Sequence, residues 1–166
     1  MTTSSTTIGV ANLAAWLARS TAFQELCGLT PGDHAGAAIR VYPYGLTPTG
    51  ADVFTLDNLQ DLRPLAVITP DPSGQSATRV ADASWVSTEA FQIHIEFDIA
   101  GQSVAEAAVV AHDAAPSIRN EIFANSAAWA GERIQPKMIR STVYRSEVEE
   151  ADGTGTYWMI DLSVET

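Results

Sequence analysis

The 166-residue chain carries 20 acidic side chains against nine basic ones, a formal net charge of −11 at pH 7, and is 46% hydrophobic but only 17% charged. A chain of this length is most simply one domain, able to remove roughly 70% of its unfolded surface from water. Its bases are scattered from Arg19 to Arg145, which argues against tight nucleic-acid binding because phosphates need clustered cations; the lone Cys27 excludes an internal disulfide and a cysteine-built zinc site and fits a reducing compartment.

The opening "MTTSSTT" is small and polar, so residues 1–7 are expected to form a flexible end. From Ile8 to Cys27 a helix is predicted, with Val10, Leu13, Ala14 and Leu17 at helical spacing and Gly28 placed to stop it. Thr21 followed by Gln24 resembles a second capping box, which would split the helix in two. The segment lacks a basic residue before its short apolar run and reaches Arg19 early, a poor signal peptide. No stretch approaches the ~20 apolar residues that cross a bilayer, so a soluble chain without membrane contact is expected.

"AAIRVYPYG" (37–45) reads as a first strand, closed by Pro43 and Gly45. A weakly patterned stretch follows, with one helical turn expected near "TLDNLQDL". "RPLAVITPDP" contains a short apolar strand, and "DPSGQSATRVADAS" reads as a polar loop. The most regular pattern runs from Ser87 to Ala100, where "FQIHIEFDI" alternates Phe91, Ile93, Ile95, Phe97 and Ile99 with Gln92, His94, Glu96 and Asp98. Successive strand side chains point to opposite faces, so one face is core and the other a row of polar groups.

Gly101 ends that strand, and Ser103 with Glu106 forms a capping box for a helix whose buried stripe is Ala107, Ala111, Ala114, Ile118 and Ile122. Pro116, inside the stripe, is expected to kink the helix or restart it at Ser117. A hairpin closes the chain: "MIRSTVYRSEV" and "TYWMIDLSVE" flank the turn-forming "EEADGTG", with Trp158, Ile160, Leu162 and Val164 on one face of the last strand. The order predicts an α+β fold, a four- or five-stranded, mostly antiparallel sheet with helices packed on one face, over residues 8–166 as a single domain.

His94, Glu96 and Asp98 have the side-chain chemistry of zinc or manganese ligands. Strand alternation already requires polar residues there, and the sequence supplies no second ligand cluster. His34 and His112 read as solvated, and Cys27, at an apolar helix end, reads as a structural thiol. Neither a nucleophile elbow nor a phosphate-binding glycine loop is found. Glu147, Glu149, Glu150 and Asp152 cluster at the hairpin tip, where a solvated or partner-facing loop is expected. The expectation is therefore no enzyme, and no catalytic, metal or cofactor site.

The layout resembles the tail-terminator (tail-completion) proteins of long-tailed bacteriophages. The matching pieces are "ANLAAWLARSTAFQELCG", "FQIHIEFDIAG" followed directly by "SVAEAAVVAHDAAPSIRNEIF", and the closing hairpin ending "TYWMIDLSVE". The resemblance implies a mixed α/β sheet with flanking helices, assembled as a homohexameric ring in the tail–neck region of the virion after synthesis in the host cytoplasm. Such a ring ends tail-tube polymerisation and joins the tail to the head connector, with genomic double-stranded DNA passing through its lumen without tight binding. Its implied partners are the tail tube protein and a head-side connector or stopper protein. On this reading His94, Glu96, Asp98, Arg140 and Arg145 are expected at subunit or neck contacts through charge-assisted pairs. The tip residues Glu149, Glu150, Asp152, Gly153 and Gly155 are expected to reach the tube or connector, as is the loop from Pro70 to Ser87. Two other readings stay open: another neck component, such as a head-closure or head-tail joining protein, and a small metal-dependent enzyme using His94, Glu96 and Asp98.

Overall fold

The computed structural model describes residues 5–56, 59–74, 76–79, 85–98, 103–127, 136–150 and 153–166. The opening segment folds as two helices, α1 (Ser5–Ala18) and α2 (Thr21–Leu26). The break falls where it was expected, but the cap is Ser20, one residue earlier, whose Oγ accepts the Phe23 N–H at 3.1 Å. The first helix also starts at Ser5, inside the segment expected to be loose. Gly28 ends α2 in the left-handed conformation, at φ 68°, where a side chain would be strained.

An early strand over residues 37–45 was expected next. Instead Asp33 caps a short helix, α3 (His34–Ala38), by accepting the Gly36 N–H at 2.8 Å. The cap and the helix-favouring alanines outweigh the strand propensity of the following residues, and β1 contracts to Val41–Pro43. The chain then crosses through a 3-10 turn at Val53–Thr55 and α4 (Leu59–Leu62) to β2 (Leu65–Pro70), which pairs parallel with β1. A parallel neighbour needs a crossover of about a dozen residues or more, and residues 44–64 provide it. The sheet is accordingly mixed rather than mostly antiparallel.

Beyond β2, the stretch expected to be a polar loop contains one strand of a two-stranded ribbon, β3 (Ser76–Arg79) against β4 (Trp85–Thr88). The long strand expected over residues 87–100 is therefore divided at Glu89 into β4 and β5 (Ala90–Phe97); Ile99 and Ala100 lie outside the described residues. Helix α5 (Val104–Ala127) begins at the anticipated capping box, with the Ser103 N–H donating to Glu106 at 2.9 Å and the Glu106 N–H to Ser103 Oγ at 3.3 Å. It runs through Pro116 without restarting. The missing N–H would have served His112, which lies on the exposed side of the helix where water can take its place.

The last two strands, β6 (Met138–Glu150) and β7 (Gly153–Glu165), complete a five-stranded sheet in the order β1-β2-β5-β7-β6. Its first face carries Phe91, Ile93, Ile95 and Phe97 from β5 and Trp158, Ile160, Leu162 and Val164 from β7, all buried under α1 and α5 with the predicted stripe of α5. Each such large side chain contributes roughly 1.5–3 kcal/mol by leaving water. Gly9 lies against the Phe91 ring with no room for a β-carbon, so only glycine lets α1 approach the sheet this closely. The second face is not bare throughout: Leu65 and Val67 of β2 pack with Val53, Leu59, Leu62 and Tyr42, so α4 and the 3-10 turn cover the β1–β2 end. Burial on both faces explains why β2 reads as a continuous apolar run rather than an alternation.

Strand directions give the sheet two ends. At one, β2 leaves and β5 enters, and the β3–β4 ribbon continues from there. At the other, β5 stops opposite Trp158 while β6 and β7 pair onward from Arg145–Trp158 to Glu150–Gly153. Residues 146–150 and 153–157 thus form a two-stranded arm beyond the body of the sheet.

Candidate functional site

Three cross-strand rows build the second face. Their members are Leu65, Glu96, Met159 and Tyr144; then Val67, His94, Asp161 and Thr142; then Thr69, Gln92, Ser163 and Arg140, each in the order β2, β5, β7, β6. The rows pass from an apolar end beneath α4, through charged groups on the central strands, to exposed Arg140, Thr142 and Tyr144 on the edge strand. The polar row read in "FQIHIEFDI" is the middle of this gradient.

His94 links its two neighbours. Its Nδ1 lies 2.5 Å from Asp161 Oδ1 and its Nε2 3.1 Å from Glu96 Oε1. Both ring nitrogens face carboxylate oxygens, so both must donate, and the ring is an imidazolium. Burial pulls its pKa down, but the hydrogen bonds and charges of Asp161 and Glu96 outweigh that and raise it from 6.5 to about 9. Burial likewise opposes ionisation of Glu96, yet bonds from His94 and Arg63 hold it below the usual carboxylate range. Asp161 is lowered in the same way by His94 and Tyr144.

The network extends to elements distant in sequence. Arg63 Nε donates to Glu96 Oε2 at 3.2 Å, with both side chains only 6% exposed. Its guanidinium also stacks over the Tyr157 ring, 3.7 Å from the centroid, a desolvated cation–π contact worth on the order of 2 kcal/mol. The Tyr144 hydroxyl donates to Asp161 Oδ2 at 2.6 Å; burial and the neighbouring carboxylate push that phenol's pKa up. In the next row Gln92 Nε2 donates to Asp71 and Ser163, at 3.1 and 3.0 Å. Two cations, Arg63 and His94, balance two anions, Glu96 and Asp161, and every carboxylate oxygen of that pair already has a donor. Such an arrangement holds strands in register; it does not aim lone pairs at a vacant point. Among the described residues, no group of three or more His, Cys, Asp and Glu side chains is placed to hold a metal ion, and no helix is long and apolar enough to cross a membrane.

The residues singled out in the sequence separate in space. His94 and Glu96 belong to the network, and Glu96 is buried. Asp98 does not join them, because β5 stops at Phe97; it is exposed and lines a cleft beside α2 and α5. Arg140 and Arg145 are exposed on β6. Glu149, Glu150, Gly153 and Gly155 are strand residues of the arm rather than loop residues, since the ladder continues to Glu150–Gly153; Asp152 lies outside the described residues. Sequence reading missed Arg63, Asp161 and Tyr144. The polar parity of Asp161 in β7 was visible, but its register against His94 was not, and Arg63 precedes a strand with no local pattern to mark it.

No family model matches the chain, and no curated protein is significantly similar to it.

Proposed function

We propose that the chain is the subunit of a closed homo-oligomeric ring, a tail terminator that ends the tail tube of a long-tailed bacteriophage and meets the head-side connector, with double-stranded DNA passing through its lumen. The observation that carries this reading is the placement of two two-stranded extensions at opposite ends of one sheet, β3–β4 at one and the β6–β7 arm at the other. A ring lying between two different partners needs a recognition element at each end, and projecting hairpins carried on a rigid sheet supply it. The balanced charge network adds a second support: it fixes β5, β7 and β6 rigidly, so that Arg140, Thr142 and Tyr144 are held ready on a face that, among the described residues, no helix covers at the β6 side. Recognition surfaces work best when their side chains are held before contact.

The function is tested by adding purified protein to its cognate tube protein during polymerisation and measuring tube lengths by electron microscopy. Short, capped tubes are expected from the intact chain. A variant with residues 149–155 replaced by a two-residue Asn-Gly turn should assemble as the parent does but leave tubes uncapped. Unlimited growth in the presence of the intact chain would overturn the reading.

A further inference from the structure

Charge is divided unevenly over this acidic chain. Among the described residues the exposed bases are Arg19, Lys137, Arg140 and Arg145, so three of the four lie on or next to β6. That strand is also an open edge. It pairs with β7 over 13 residues without a bulge and contains no proline, whereas β1 at the opposite edge is three residues long and closed by Pro43. Proteins normally blunt a long regular edge strand, because its unpaired backbone recruits partners. Elsewhere on the molecule, a cleft of about 600 Å³ between α2 and α5 has apolar walls that include Leu26, Val110 and Ala114; Glu25, Asp98 and Asp113 line it as well, and none of its lining residues is basic. All three carboxylates are exposed.

We propose that β6 of one copy docks edge-on against this cleft of the next, with Arg140 reaching its carboxylates Asp98, Asp113 and Glu25 from one face of the strand and Arg145 from the other. This rests on the ring reading above and names the contact that closes the ring. Copies bearing −11 each repel one another in general, so attraction is favoured where the bases of β6 can meet carboxylates, and complementary patches also fix the register of docking. The two patches are different surfaces of the same chain, which makes the contact heterologous: repeated around an axis, it closes into a ring without leaving either patch free. Sequestering the bases of β6 at each contact leaves the remaining surface, lumen included, more uniformly acidic, which keeps passing DNA from adhering.

The test uses the full chain with native mass measurement and sedimentation. Wild type is expected to be a closed multimer. The edge variant Arg140→Glu/Arg145→Glu and the cleft variant Asp98→Arg/Asp113→Arg should each be monomeric at concentrations at least 100-fold above those where wild type assembles, with unchanged circular dichroism because all four positions are exposed. Mixed together, the two variants should re-form multimers that contain both in equal numbers, because the intact edge meets the intact cleft at one kind of contact and the Glu edge meets the Arg cleft at the other. Restored multimers in a chain carrying all four reversals would support the same contact. A multimeric wild type whose two variants remain fully assembled would overturn this contact and leave the ring reading standing; a wild type that stays a single chain would overturn both.

Discussion

The two faces of the sheet are built on opposite principles. The helix-covered face is continuous hydrocarbon, from Ala66 and Ile68 through Phe91 to Phe97 and on to Trp158 to Val164. The other passes from a small apolar cluster through a neutralised charge network to exposed polar side chains. Apolar burial is non-directional and stabilises the fold, whereas hydrogen-bonded ion pairs add little net stability but specify which groups must meet. The difference teaches where to look for function: the first face explains why the chain folds, and the second holds charged and polar side chains in a defined shape.

The comparison can be broken most forcefully on the apolar side. Phe91→Ala removes a fully buried ring and should cost about 3–5 kcal/mol in urea unfolding, while a loss under 1 kcal/mol would mean that the core does not depend on this packing. On the polar side Glu96→Ala takes away the carboxylate that Arg63 and His94 share. A destabilisation of about 3 kcal/mol is expected, as for one removed partner of a buried pair. The Glu96→Ala/Arg63→Ala double variant should then lose less than the sum of the two single changes. Gly9→Ala improves helix propensity by about 1 kcal/mol but drives a methyl group into Phe91; a net loss of about 1–2 kcal/mol is expected, and a gain would show that α1 stands farther from the sheet.

Protonation sharpens the contrast, because the buried side chains that β5 and β7 give to the apolar face do not ionise. His94 is 24% exposed in its side chain, and its pKa rises from 6.5 to about 9 in the fold. The stability this supplies is complete below about pH 6.5 and is lost as pH climbs through about 9, by about 3 kcal/mol. Glu96 and Asp161 are lowered instead, so their contribution is present above the ordinary carboxylate range and disappears on acidification. Urea midpoints should therefore fall between pH 7 and pH 10 in wild type and change much less in His94→Gln. Tyr144→Phe removes only an exposed hydroxyl bond to Asp161 and should cost no more than about 1 kcal/mol; a larger loss would mean that the edge strand depends on that bond.

Much of the fold was legible because it is encoded locally. Alternation marked β5 and β7, three-to-four spacing marked the buried stripe of α5, and Ser103 with Glu106 marked its start. Three features were not. Helix α3 depends on Asp33 as a cap in a segment that also suits a strand. The parallel β1–β2 pair depends on a crossover whose path is a tertiary property. The β3–β4 ribbon has no apolar alternation to announce it. The site was half legible for the same reason: the row containing His94 and Glu96 follows from strand period, but its partners Asp161, Tyr144 and Arg63 are fixed by register and by a loop, which no window of neighbouring residues contains. Asp98 was misgrouped because alternation was carried one residue beyond the end of the strand.

The mass of the native wild-type assembly, measured over a hundredfold range of concentration, tests the central claim most directly. A single closed species is expected, six copies by the resemblance to tail terminators, unchanged on dilution until it dissociates. A solitary chain throughout that range, alone and with purified tube protein, would contradict it.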